Sequence, residues 1–422
     1  MIGTLDKKNP EVTVVGAGIA GMLASYYLDR RGYRVTLIEE KNRGGGLIRT
    51  TYTDEGIAES AAHSLIATPA VLDLCRDLNV PLVEPRKEAK AKYIVRDGRL
   101  RKFPLSIPEA LSTLARATFV NSVNDDCQSL ESWGQRHLGQ PAVDYLLTPL
   151  VRGIYGVQPA ELGVSAAYPS LRLPVGQTLI GSFLKKRKAK KEKQTRKRVA
   201  PQLGMGDLVK QLEVHLQSRL GPRFRKDERV KSLPADAPNL IIATPAYDAA
   251  RLVVNDSWKL AQQLQSVKYT PIVSVTVFVE RSAFTNPVEG VGVLMPACED
   301  RSCLGILFNS SSFTKRVTDE DKLASFTVMM GGTSQAQWLN ASDEEIEVRI
   351  RSELKSLLGI QDVSSVLIHR WPTALPQYST ALPDVWQYAR TNWCAVPGRM
   401  VFGNYTGQIS LRGMIESAAA LG

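Results

Sequence analysis

"VTVVGAGIAGMLASYYLDRRGYRVTLIEE", Val12 to Glu40, reads as strand, turn, helix and second strand. Val12 to Val15 is a short β-branched run of the kind buried in a parallel sheet. Gly16, Gly18 and Gly21 follow as GxGxxG at the strand-to-helix turn. The first glycine permits the tight turn, the second lets a pyrophosphate approach the backbone, and the third lets helix and strand pack closely. The free N–H groups and positive dipole end of the helix complete a phosphate site. Val35 to Ile38 is the second strand, and Glu39 closes it. A carboxylate there accepts hydrogen bonds from both ribose hydroxyls and repels a 2′-phosphate. Together these residues predict an FAD- or NAD-type dinucleotide site.

The chain has 422 residues, too many for one ordinary core, and is expected to form two or three lobes. Its 44% hydrophobic and 23% charged residues are those of a globular protein. No apolar run approaches the roughly 18 residues of a transmembrane helix. The strand at Val12 leaves no room for a signal peptide before the fold starts. Cysteines at 75, 127, 298, 303 and 394 form no CxxC and read as reduced thiols. Histidines at 63, 137, 215 and 369 lack metal-ligand spacing, so no metal is expected. The net charge of +11 is concentrated in "KKRKAKKEKQTRKR", Lys185 to Arg198, where ten residues are basic and one is acidic. The run contains no aromatic side chain for base stacking, and it leaves the rest of the chain nearly neutral. A nucleic-acid partner is therefore not expected.

"RGGGLIRT", Arg43 to Thr50, is a second glycine-rich turn with a flanking arginine. Here the chain resembles the flavin-containing amine oxidase superfamily, through Glu39, Arg43, Gly45, Gly46 and Thr50. Leu47 stands where that pattern carries a basic residue. The resemblance implies FAD, with Arg43 and the glycines wrapped around its flavin side.

Later segments narrow the resemblance to the protoporphyrinogen oxidase family. "TPLVRGIYGVQPAEL" matches a family segment through Pro149, Gly153, Ile154, Tyr155, Pro159 and Leu162, with Arg152 and Gln158 departing from it. "GMGDLVKQL" (204–212), "NLIIATPAY" (239–247), "GVGVLMPACEDRSCLGILFNSSSF" (290–313), "RWPTALPQY" (370–378) and "GNYTGQISLRGMIESA" (403–418) follow in the family's order. Gln408 replaces a glycine in the last of these. By this resemblance Thr244, Gly403, Asn404, Met414 and Ile415 join the cofactor site.

The implied reaction is the six-electron oxidation of protoporphyrinogen IX to protoporphyrin IX, with dioxygen as acceptor. Coproporphyrinogen III oxidation uses nearly the same scaffold. Another amine-oxidase-type oxidoreductase, or a non-catalytic flavin-binding protein, are further alternatives. A flat tetrapyrrole needs apolar walls and a cation for its acid groups. Lys92 falls on the family's basic position, and Leu294 and Phe313 fall on positions that sandwich the ring. Each has a plainer reading: a surface lysine, and two core residues. In "ESAAHSL" (59–65) Ala61 and Ala62 replace the family's Gly-Pro and bring in His63. That histidine either steers a proton or a substrate carboxylate, or is a hydrogen-bonded structural residue.

The expected fold class is α/β. A discontinuous Rossmann-like FAD-binding domain takes residues 1–85, 202–255 and 396–422. A mixed-sheet substrate domain takes 86–107 and 256–395, and a helical insertion lobe takes 108–201, with the basic run as its loop. In the family this helical lobe forms the entrance for an apolar substrate and can lie on a membrane surface. The apolar "TLIGSFL" (178–184) beside the basic run suits an interfacial segment on anionic lipid, and a block of like charge also suits a solvated loop. The expected location is cytoplasmic, peripheral to the inner face of the cell membrane where that surface is engaged. A homodimer is compatible with the pattern.

Overall fold

The structure is a computed structural model describing residues 1–123, 128–189, 197–234 and 237–421. A five-stranded parallel sheet forms the first half of the architecture. Its order is Phe224–Arg225, Arg34–Ile38, Glu11–Val15, Leu240–Ile242 and Arg399–Val401. Three distant parts of the chain therefore meet in one sheet. Val15 stands beside Ile38 on one side and Ile242 on the other.

The strands are apolar throughout because both faces are covered. The alternation of a strand sorts their side chains. Val12, Val14, Leu37, Ile241 and Met400 join one core with the helices Ile19–Arg30, Met205–Leu220 and Leu411–Ala419. Val15, Leu240, Ile242 and Val401 join a second core with the helix Ala246–Val253. That second core also takes in Trp133, Val151, Tyr155 and Leu382, so it reaches into the helical segment.

The other half is a seven-stranded mixed sheet. Its order is Ser365–Pro376, Tyr269–Glu280, Leu323–Gly331, Cys303–Phe308, Gly292–Leu294, Lys92–Arg96 and Arg99–Arg101. Its neighbours are antiparallel except for the parallel pair Gly292–Leu294 and Lys92–Arg96. One face is apolar: Val273, Val275, Val277 and Val279 pack with Ile346, Ile350 and Leu354 of the helix Asp343–Leu358. The opposite face carries Ser274, Thr276, Ser325 and Thr327, all buried. The register places Thr276 against Thr327, and Phe278 against Ser325.

A hairpin of Thr50–Tyr52 and Ile57–Glu59 bridges the two halves. Ile57 donates its N–H to the Arg316 carbonyl at 3.1 Å. Trp371 donates its indole N–H to the Ser60 carbonyl at 2.7 Å. The strand Arg198–Pro201, at the end of the helical segment in the sequence division, pairs with Leu65–Ile66 and Leu82–Val83.

The helical segment opens with Ile107–Phe119, started by a capping box between Ser106 and Glu109. Its apolar stripe faces outward: Ile107 is 78%, Leu111 61% and Leu114 55% exposed. A turn of π-helix, Val143–Leu147, leads into Thr148–Tyr155, which Gly156 ends in the left-handed conformation. The helix Leu179–Ala189 takes in the start of the basic run, of which residues 190–196 lie outside the described residues. Among the described residues no helix is long and apolar enough to cross a membrane. Cys75, Cys298, Cys303 and Cys394 are free thiols, and no metal-binding cluster occurs among the described residues.

Candidate functional site

The GxGxxG turn is built as a close-packed backbone cradle. Gly16 has a φ of +97°, which favours glycine, and donates its N–H to the Ile38 carbonyl at 2.7 Å. A methyl group on Gly21 would lie 1.9 Å from the Gly16 carbonyl oxygen. Gly18, the residue at the head of the helix, has open space where its side chain would be. No side chain caps that helix, so its first N–H groups are left for a ligand. Glu39 accepts the Ala17 N–H at 2.6 Å and the Lys41 N–H at 3.0 Å. Each carboxylate oxygen keeps further acceptor capacity.

The second glycine turn rests on the first. Gly45 donates its N–H to the Ala17 carbonyl at 2.8 Å. Arg43 clamps the turn by donating to the carbonyls of Gly44 at 3.0 Å and Gly46 at 2.7 Å. A methyl group on Gly45 would strike Val209 at 2.2 Å, so the turn must be bare. Thr244 stands beside Gly16: its Cγ2 would be 3.0 Å from a methyl group there. The Asn404 carbonyl accepts the Tyr378 hydroxyl. A methyl group on Gly403 would sit 2.9 Å from the Tyr405 ring. Met414 and Ile415 are buried in the helix beside Ile19–Arg30, so only their backbone is available to a ligand. The Gln408 carboxamide covers Gly413 at the start of that helix, filling the space a second glycine would leave. An uncapped helix facing open space, with a carboxylate at the neighbouring strand end, fits a dinucleotide.

The Thr50 hydroxyl donates to Glu59 at 2.7 Å and accepts the Gly206 N–H at 2.8 Å. Through these bonds it ties the hairpin to the turn at Gly204. Glu59 also accepts the Met205 N–H at 2.7 Å and lies 3.8 Å from the Arg316 guanidinium. Both side chains of this pair are only 4% exposed. Burial pushes the Glu59 carboxyl up to about 7, against the pull of its hydrogen bonds and of Arg316. Arg316 donates through Nη2 to the carbonyls of Pro201 at 2.7 Å and Gln202 at 3.0 Å.

His63 lies nearby, its imidazole pushed down to about 4 by burial and by the charge of Arg316. Its Nε2 is buried with no hydrogen-bond partner, so the hydrogen-bonded structural role is not what that nitrogen has here. Glu59, His63, Arg198, Asn309, Phe313 and Arg316 line one cavity of about 50 Å³. The four proposed substrate residues therefore divide. Phe313 and His63 share this cavity. Lys92 is exposed on its strand, and Leu294 packs against Gly153 and Gly305, at 2.5 and 3.1 Å from where their methyl groups would be. The sequence reading missed Glu59 and Arg316 as a pair, and it absorbed Arg198 into the basic run.

The model of flavin containing amine oxidoreductases matches residues 19–420. The chain belongs to that family. Among its relatives, protoporphyrinogen oxidase 2, chloroplastic/mitochondrial, of Arabidopsis thaliana is 28% identical, covering 96% of this chain and 92% of that protein. Human protoporphyrinogen oxidase is 26% identical, covering 87% and 88%. A crystal structure from Exiguobacterium sp. 255-15, described provisionally as a protoporphyrinogen oxidase, superposes with a TM-score of 0.78 at 20% identity, covering 99% and 98%. The α/β fold expected from the sequence is the fold of this flavin containing amine oxidoreductase. The chain is a flavin-dependent oxidoreductase, and its glycine cradle is the part of the structure suited to that cofactor.

Proposed function

We propose that this chain is an FAD-dependent oxidase that converts protoporphyrinogen IX to protoporphyrin IX, with dioxygen as electron acceptor. The carrying observation is that relatives bearing the protoporphyrinogen oxidase name align over nearly the whole chain, both sheets and the helical segment included. The backbone of Gly16, Gly18 and Gly21 holds the pyrophosphate, and Glu39 accepts the ribose hydroxyls. Arg43, Gly45, Gly46, Thr244, Gly403, Asn404 and the backbone at Met414 and Ile415 surround the rest of the cofactor. When bound, the flavin takes up the electrons of each two-electron step.

The chain's own residues bind, orient and keep water out. Phe313, 4% exposed, offers an aromatic wall, and Leu294 an aliphatic one. Lys92 is an ammonium at the strand edge, suited to a carboxylate without the bidentate fork of an arginine. The outward stripe of Ile107, Leu111 and Leu114, continued by Phe119 at 78% exposure, supports a membrane-facing entrance for an apolar substrate.

The test is porphyrin fluorescence in air from the purified, flavin-loaded protein. Protoporphyrinogen IX and coproporphyrinogen III are supplied in parallel. Faster conversion of protoporphyrinogen IX is expected. A higher kcat/KM for the tetracarboxylate would overturn the substrate assignment.

A further inference from the structure

We propose that the cavity between Phe313 and His63 is a carboxylate-binding subsite, in which Arg198 and Arg316 receive one acid group of the substrate. The proposal rests on the tetrapyrrole reading for the identity of the acid, but not for the existence of an anion site.

Arg198 closes the basic run in sequence, yet it is also the first residue of the strand Arg198–Pro201. Its backbone stands opposite Ile66, and its guanidinium lies over the Phe313 ring, 5.5 Å from the centroid. It is half-buried and fixed from both sides, unlike a solvated lysine. Arg316 is anchored by carbonyls of the same stretch, Pro201 and Gln202. That leaves its Nη1 buried without a hydrogen-bond partner, in a side chain only 4% exposed. His63 Nε2 is a second buried nitrogen without one. Two unfilled polar groups around one cavity are costly unless something accepts from or donates to them.

Charge points the same way. Two guanidiniums line the cavity with one carboxylate, Glu59, whose oxygens already accept from Thr50 and Met205. One positive charge is left over. Arg316 Nη1 lies 3.8 Å from Glu59, too far for a hydrogen bond, so that ion pair accounts for the burial of Arg316 but not for Arg198. The cavity, about 50 Å³, has room for a few water-sized atoms, which suits a carboxylate head and not a ring. Lys92 does not line it. The subsite is thus separate from the strand-edge ammonium.

The test compares protoporphyrinogen IX with its dimethyl ester on the flavin-loaded wild type and on R198Q and R198K. We expect R198Q to lower the diacid-to-diester ratio of kcat/KM by about tenfold or more, mainly through KM. R198K should keep an intermediate ratio, because it restores charge without the fork. An unchanged ratio in R198Q, or an equal loss on both substrates, would overturn the subsite. If R198Q fails to bind flavin, R198M takes its place. Failure of the wild type on both tetrapyrroles would refute the proposed function instead. The anion site is then decided by thermal unfolding with sodium acetate, against acetamide and matched sodium chloride. An acetate-specific rise that R198Q lacks supports the site, and identical behaviour of the two proteins overturns it.

Discussion

The two sheets of this molecule build their ligand surfaces in opposite ways. The parallel sheet presents backbone: bare glycines, an uncapped helix and one carboxylate, Glu39. The mixed sheet and the segments against it present side chains: Phe313, His63, Arg198 and the Glu59–Arg316 pair. Backbone sites need particular residues at fixed spacing, so they are rigid and written locally. Side-chain sites are gathered from distant strands, so they can vary one residue at a time while the frame persists.

If that contrast is right, a single methyl group should do most harm in the first region. Gly21→Ala places a carbon 1.9 Å from the Gly16 carbonyl oxygen, where only a backbone shift can relieve it. We expect at least about a hundredfold loss of flavin affinity, or failure to fold, read by flavin absorbance of the purified protein. Retained flavin would mean that the turn is softer than its packing implies.

Glu39→Ala is the milder break. It removes a charged acceptor but no packing, and should weaken flavin binding by about 1–3 kcal/mol in a titration. Unchanged affinity would refute the ribose assignment. It should also release the Ala17 N–H that the carboxylate holds at 2.6 Å.

The side-chain region offers a pH signature. Glu59 titrates at about 7 in the fold against an ordinary 4.5. Between those values the folded chain holds a proton that the unfolded chain releases, so this group's contribution to stability falls as pH rises. His63 acts in the opposite sense, because its value is lowered from 6.5 to about 4: its contribution rises with pH between those values. Glu59→Gln removes the first effect alone. The wild-type-minus-variant difference in unfolding free energy should therefore fall between about pH 4.5 and 7, by up to about 3 kcal/mol. A difference independent of pH would mean that the carboxyl is not held out of water.

The smallest effect on the fold should come from the outward stripe. Replacing Ile107, Leu111 and Leu114 with Ser touches side chains that are more than half exposed, so thermal stability should barely move. Partition onto anionic vesicles should drop about tenfold or more in a flotation assay. Equal partition would remove the membrane entrance from the account.

How much was readable beforehand follows the same division. The strands at Val12 and Val35, the glycine turns and Glu39 are legible because their signal is local. The parallel sheet takes its strands from residues 11–15, 34–38, 224–225, 240–242 and 399–401, and four of these, all but 224–225, lie in or beside the motifs named from the sequence. The hydroxyl bond of Thr50 to Glu59 across a hairpin leaves no mark in the cofactor motif where Thr50 sits. Arg198 looked like nine other basic residues. Its pairing with Ile66 and its place over the Phe313 ring are set by distant strands, and pairing between strands that far apart leaves no local mark. The buried serines and threonines of the mixed sheet alternate as any strand does, so the sequence does not say which face meets the other half.

The most direct test of the central claim is to add protoporphyrinogen IX, without air, to the purified protein carrying its flavin. The account predicts that the flavin absorption band bleaches and that porphyrin fluorescence appears in proportion. A band that stays fully oxidised, in a protein that binds flavin and is folded, would contradict it.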